Sequence, residues 1–450
     1  MKKLLFCFLI CISVHLHAQH IQGSWNGKLD VSGVRLRLVI NVTSDGKCTM
    51  DSPDQGAKDI PAVLEYVSED SLVVSVPSLK VHYGGRLKDG RIEGFFAQAG
   101  YVVPLVLSPG KVALNRPQTP QSPFSYVTEE VFFRNEGDNA TLCGTLTYPV
   151  GFSKTAPKKV PVVLMVTGSG LQNRDEELFG HKPFAVWADY LAKCGIASLR
   201  YDDRGVGKSV GDVRGLTTHG NSLDALAGVE YLKSSGIFGK IGILGHSEGG
   251  TIALMLAARF QEDIDFIVSL AGTSIKGVEV LSEQNYMTLR MSGLPDEMAK
   301  DYCRALKEVF VVRTNGSPYR ADEVALDALL EQMGVQLPEL WKKNLLAVFQ
   351  TSSPWLDYFA QYDPSQDIVN VKCPVMAING QLDVQVLPAS NLGALRKLLP
   401  AHKLTKIKEY QGLNHLLQHC TSGSVVEYNL IEETVAEEVL RDVSDWINSL

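Results

Sequence analysis

The sequence predicts an α/β protein, a mostly parallel sheet with helices on both faces and a helical cap, preceded by a small all-β domain. Three observations carry this. From Glu129 on, β-branched apolar runs alternate with amphipathic stretches of helical period, as in a sheet buried on both sides. Before that, residues 23–107 break into short segments of period-two alternation between turn signals, as in antiparallel strands. Between the two lies a polar stretch spaced by Pro109, Pro117, Pro120 and Pro123, the composition of a semi-rigid linker. A chain of 450 residues is also too long for one ordinary core.

The chain begins MKKLLFCFLICISVHLHAQ, with Lys2 and Lys3 ahead of an apolar run from Leu4 to Val14. That run is too short to span a bilayer and has the anatomy of a signal peptide, residues 1–18, with cleavage after Ala18. The expectation is an exported protein, periplasmic or secreted, with no membrane attachment after cleavage. The net charge of -7 is mild, and no Lys/Arg cluster argues for a nucleic-acid partner. Past the signal, Cys48, Cys143, Cys194, Cys303, Cys373 and Cys420 lack CxxC or metal-ligand spacing. They read as small core residues with at most one disulfide, and no metal site or cofactor is expected.

In the all-β domain, residues 19–108, VRLRLVINV, SLVVSV, RIEGFFA and YVVPLVL are strand candidates. A barrel or sandwich of about seven to nine strands fits ordinary strand lengths. The linker is placed at residues 109–126. In the domain that follows, residues 127–450, EVFFRN and TLCGTLTYP form an opening hairpin. VPVVLMVTG, GIASLRYD, KIGILGHS, FIVSLAG, PVMAING and LTKIKEYQ are the buried strands. The long helical insertion between FIVSLAG and PVMAING, residues 274–369, far exceeds an ordinary connection and reads as a cap.

Gly245-His246-Ser247-Glu248-Gly249 lies between strand KIGIL and helix TIALMLAA. On a strand-to-helix turn this G-x-S-x-G pattern lifts a serine hydroxyl above the sheet edge, at a helix N-terminus suited to an anion. A serine nucleophile needs a base, and the base needs an orienting group. Asp383 follows the end of strand PVMAING, and His415 follows the last strand. All three project from one rim, in the order Ser, Asp, His, with Ser247 as nucleophile, His415 as base and Asp383 as acid.

His246 is expected to turn away from the rim, His419 is the substitute base, and His181 and His219 suit binding better than base chemistry. Asp357 and Asp367 follow no sheet strand. The oxyanion donors are expected to be the backbone N–H of Glu248 and that of Ser169, with Gly170 as the alternative. Gly205-Val-Gly-Lys-Ser209 imitates a phosphate loop but has Asp202 where the first glycine belongs, so no nucleotide is implied. There Asp203 and Arg204 are expected to pair with each other.

VTGSGLQNRDE, YDDRGVGKS, GHSEGG, NGQLD, GLNH and the cap phrase SPWLDYFAQYDP resemble exported α/β-hydrolases of the carboxylesterase and serine-aminopeptidase-like group. The resemblance covers residues 125–450, and the β module resembles one fused to such hydrolases. One departure is Thr167-Gly168 where many relatives have His-Gly. The resemblance implies an α/β-hydrolase fold and a serine hydrolase acting on a small acyl ester, with an aminopeptidase or dipeptidyl peptidase as the alternative. An inactive binding protein is the alternative from another class. Trp355, Tyr358 and Phe359 are candidates for the pocket wall. For a peptidase, Glu248 or a cap acid could hold the substrate's amino group.

Overall fold

The computed structural model describes residues 21–31, 34–111, 114–155, 159–315 and 320–450. The expected signal peptide lies outside the described residues. The chain divides into two units, residues 1–114 and 115–450.

The first unit is a closed antiparallel barrel of eight strands. They are β1 (Gly23–Val31), β2 (Val34–Val42), β3 (Cys48–Ser52), β4 (Ala57–Val67), β5 (Ser71–Val76), β6 (Val81–Lys88), β7 (Arg91–Gln98) and β8 (Tyr101–Pro109). β1 pairs with β8 through Trp25 and Asn26, which closes the ring. Alternate residues point inward, as the pleat requires, so Leu72, Val74 and Val76 of β5 are buried. They join Trp25, Leu29, Ile40, Tyr83, Ile92 and Leu107 in one core.

The second unit is built on an eight-stranded sheet in the order β16-β15-β14-β13-β11-β12-β10-β9. Its strands are β9 (Thr128–Asn135), β10 (Ala140–Thr147), β11 (Val162–Val166), β12 (Ala197–Tyr201), β13 (Ile241–His246), β14 (Phe266–Leu270), β15 (Val375–Gly380) and β16 (Lys406–Tyr410). Only β10 runs against the rest, pairing antiparallel with both β9 and β12; β11 to β16 are parallel to one another. Parallel strands need crossover helices, and these cover both faces.

On one face, α2 (Thr218–Ser235), α3 (Glu248–Arg259) and α10 (Pro388–Leu398) pack on Val162, Leu164 and Ile243. On the other, α1 (Pro183–Lys193) and α11 (Glu437–Ser449) pack on Val163, Met165 and Leu244. This is the α/β-hydrolase fold, with β13 central and the carboxyl ends of β11, β13, β15 and β16 on one rim.

Between β14 and β15 stand α4 (Gly277–Met291), α5 (Asp296–Thr314), α6 (Glu323–Met333), α7 (Glu339–Gln350), α8 (Pro354–Gln361) and α9 (Ser365–Ile368). They form a cap with its own core around Tyr302, Leu306, Phe310, Leu330, Leu345 and Phe349. Arg313, 7% exposed, pairs with Asp357 at 2.6 Å and donates to carbonyls at the end of α7, fixing where α8 begins.

From Asn115 on, the proline-spaced stretch is held along the second unit rather than left as a free tether. The Arg116 guanidinium donates to the carbonyls of Phe179, Asn429 and Ile431, and Gln118 bonds the backbone of Thr434 and Val435. The six described cysteines are all free thiols. No described helix is long and apolar enough to cross a membrane.

Candidate active site

Ser247 sits at the turn from β13 into α3 with φ 53° and ψ −119°, a conformation a β-carbon disfavours. The glycines on either side are forced by close packing. A Cβ on Gly245 would fall 2.0 Å from the carbonyl oxygen of Gly249, and one on Gly249 would fall 2.1 Å from that of Val166. The N–H of Ser247 donates to Leu270 O at 2.9 Å, which holds the turn against β14.

At the end of β15, Asp383 is 2% exposed, and His415 after β16 is 4% exposed. Asp383 Oδ1 accepts the amides of Gln385 and Val386 at 2.8 and 2.9 Å, and Oδ2 lies 2.7 Å from His415 Nδ1. The loop after β16 that carries His415 is braced by Asn414, whose Oδ1 accepts the amides of Leu416 and Gln418, both at 3.0 Å. The rings of His415 and His246 lie 4.8 Å apart, so this loop touches the residue before Ser247.

The loop after β11 reaches the same point. A Cβ built on Gly168 would lie 3.2 Å from Ser247 Cβ. The Gly168 N–H is taken by Glu176 Oε1 at 2.8 Å. Ser169 Oγ donates to Glu248 Oε2 at 2.6 Å. Trp355 of α8 donates through Nε1 to the same carboxylate, at 2.9 and 3.0 Å. Glu248 is 1% exposed, so its side chain ties the cap to the loop while its backbone begins α3.

Of the proposed pocket wall, Trp355 lines a cleft of about 350 Å³ with Gly170, Leu171, Val213, Leu216 and Ser353. Phe359 is buried behind it, ring stacked on ring at 5.5 Å, and Tyr358 turns aside to stack on His219 and Tyr362. Neither lines that cleft.

The other histidines do not compete for the base position. His419 is exposed and paired with Glu433 and Glu438. The expectation that His181 serves binding is corrected: it is fully buried between Thr434 Oγ1 and Tyr428 O, and burial pushes its pKa down to about 4.

The expected pair of Asp203 with Arg204 is also corrected. Arg204 pairs with Asp224 at 2.6 Å and Asp138 at 2.8 Å, and Asp202 pairs with Arg174 at 2.6 Å. Asp203 instead accepts from Thr167 Oγ1 and the Gln172 amide on the loop after β11. Burial, with Glu176 and Asp224 nearby, pushes its pKa up to about 7.

Sequence reasoning missed Glu176, which is 2% exposed and lies 2.9 Å from His246 Nδ1. Among the described residues no group of His, Cys, Asp and Glu is arranged to hold a metal ion.

The family model of the X-Pro dipeptidyl-peptidases (S15 family) matches residues 138–420. Esterase EstD of Thermotoga maritima is 32% identical over 324 residues, covering 72% of this chain and 69% of that one. Among solved structures, an esterase of Pyrococcus furiosus is 16% identical with a TM-score of 0.43, over 76% of this chain and 99% of that one. Est1E from Butyrivibrio proteoclasticus is 17% identical with a TM-score of 0.39, over 71% of this chain and 98% of that one.

Proposed function

Because the chain belongs to the S15 peptidase family and is a serine hydrolase, we propose that it cleaves carboxylic esters through Ser247, His415 and Asp383. Ser247 Oγ attacks the acyl carbonyl as His415 Nε2 takes its proton, and Asp383 holds the imidazolium through Nδ1. The developing oxyanion is met by the Glu248 N–H at the start of α3 and by the Ser169 N–H, since that of Gly168 is bound to Glu176. The leaving alcohol takes the proton back from His415. Water, deprotonated by His415, then attacks the acyl carbon; the bond to Ser247 Oγ breaks, Oγ takes the proton back from His415, and the carboxylic acid leaves.

The observation that carries this reading is the strained Ser247 turn on the rim where His415 and Asp383 meet at 2.7 Å. An ester is favoured by the likeness to EstD. Amide cleavage is the second reading, favoured by the match to the X-Pro dipeptidyl-peptidase family. Export to the periplasm or beyond is proposed on the sequence of residues 1–18 alone.

The test is turnover of short- and long-chain acyl esters beside aminoacyl and X-Pro amides, with Ser247→Ala as control. Ester turnover abolished by Ser247→Ala is the expected result. Turnover that survives in that variant removes Ser247 from the mechanism, and amides outrunning esters promote the second reading.

A further inference from the structure

The ring of His246 lies between two oxygen acceptors. Nδ1 is 2.9 Å from Glu176 Oε1, and Nε2 is 3.1 Å from the backbone oxygen of His415. A carbonyl oxygen only accepts, so Nε2 carries a proton. Glu176 Oε1 also accepts the Gly168 N–H at 2.8 Å, and a carboxylate oxygen that receives one donor there is matched on its other side by an Nδ1–H. An imidazole protonated at both nitrogens is a cation.

The surroundings are apolar. Pro183, Phe184 and Trp187 of α1, Leu270 of β14, and Leu416, Leu417 and Val435 wall the pair. The titratable groups facing it are the His415 ring, Asp383, and Asp203 beside Glu176. Burial works against a charge on His246, but the Glu176 carboxylate and its hydrogen bond outweigh burial and raise the His246 pKa.

We propose that Glu176 and His246 form a charged pair that positions the oxyanion loop, the nucleophile turn and the base loop as one unit. Each connection is one hydrogen bond: Gly168 N–H to Glu176, His246 Nδ1–H to Glu176, His246 Nε2–H to His415 O. The His246 ring, 4.8 Å from that of His415, packs against the same loop it bonds. Glu176 and His246 are positioning residues, because they act on the reaction through Gly168 and His415.

The positioning role rests on the triad reading, whereas the charge on His246 does not. ¹⁵N-histidine NMR of the full chain should show one imidazole, absent from His246→Gln, with both nitrogens protonated at about pH 7.5, above the ordinary histidine pKa. In kinetics, Glu176→Gln and His246→Gln should lower kcat about 10- to 100-fold with KM little changed, as for displaced catalytic groups. Glu176→Asp should recover part of the rate lost in Glu176→Gln.

A His246 with one bare nitrogen at that pH overturns the charged pair. Unchanged kcat in folded Glu176→Gln overturns the positioning role. The NMR signal is read on resting protein, so its failure is distinct from failure of the triad, which Ser247→Ala reports.

Discussion

Replacing Asp383 by Asn alters the chemistry of the site while keeping the side chain's volume. Its Oδ1 accepts two backbone amides, at 2.8 and 2.9 Å, and its Oδ2 faces His415 Nδ1 at 2.7 Å. An amide has a single acceptor oxygen. The two backbone donors claim it, so the new NH2 group faces Nδ1. The imidazole then turns its lone pair to that NH2 and carries its proton on Nε2, which leaves no base for Ser247. A wrong tautomer of this kind costs about 10,000-fold in kcat, or ~5 kcal/mol of transition-state stabilisation. The assay is p-nitrophenyl acetate turnover by Asp383→Asn, with fluorophosphonate labelling of Ser247 and a thermal melt alongside. A folded variant that keeps about a tenth or more of wild-type kcat refutes both the tautomer argument and the role of Asp383.

Gly249→Ala should destabilise the protein by about 3 kcal/mol or more in urea unfolding, because its methyl would meet the Val166 carbonyl oxygen at 2.1 Å, backbone against backbone. Trp355→Phe removes a hydrogen bond to a buried carboxylate and should cost about 1.5–3 kcal/mol, read by the same unfolding curves. Asp203 has a native pKa raised to about 7 from an ordinary value of 3.8. Its neutral form is the one the fold favours, so its contribution is fully present below the unfolded pKa and is lost as pH rises from about 4 to 7, at up to ~1.4 kcal/mol per pH unit. Asp203→Asn should flatten urea stability against pH across that window, and an unchanged slope would show that Asp203 does not titrate there.

The rim was legible because buried parallel strands print as unbroken apolar runs such as VVLMV and IGIL, and the residue after each run falls at the sheet edge. That placed Ser247, Asp383 and His415 without coordinates. Glu176 was not legible. It stands in the acidic run Asp175-Glu176-Glu177, and its burial follows from a left-handed turn, φ 51°, that nothing in the side chain announces. Asp203 and Arg204 misled through adjacency: neighbouring side chains of a turn diverge, and Arg204 reaches across to Asp138 and Asp224. Trp355 and Phe359, four apart on α8, share a helix face, but only the outer ring lines the cleft.

Two consecutive residues of the oxyanion loop are fixed by two different buried acids. Gly168 is held through its N–H by Glu176, which also binds His246 and so the base loop. Ser169 is held through its hydroxyl by Glu248, which also binds Trp355 of the cap. The first link makes the loop follow the His415 loop, and the second makes it follow the cap. A displacement of α8 that frees Trp355 would leave the Glu248 carboxylate, 1% exposed, dependent on Ser169 for its nearest remaining side-chain donor. Ser169 would then shift with it, carrying the N–H proposed to meet the oxyanion. On the proposed oxyanion assignment, a substrate contact with Trp355 would reach the developing charge through Glu248 and Ser169, so substrate features read by the cap should move kcat as well as KM.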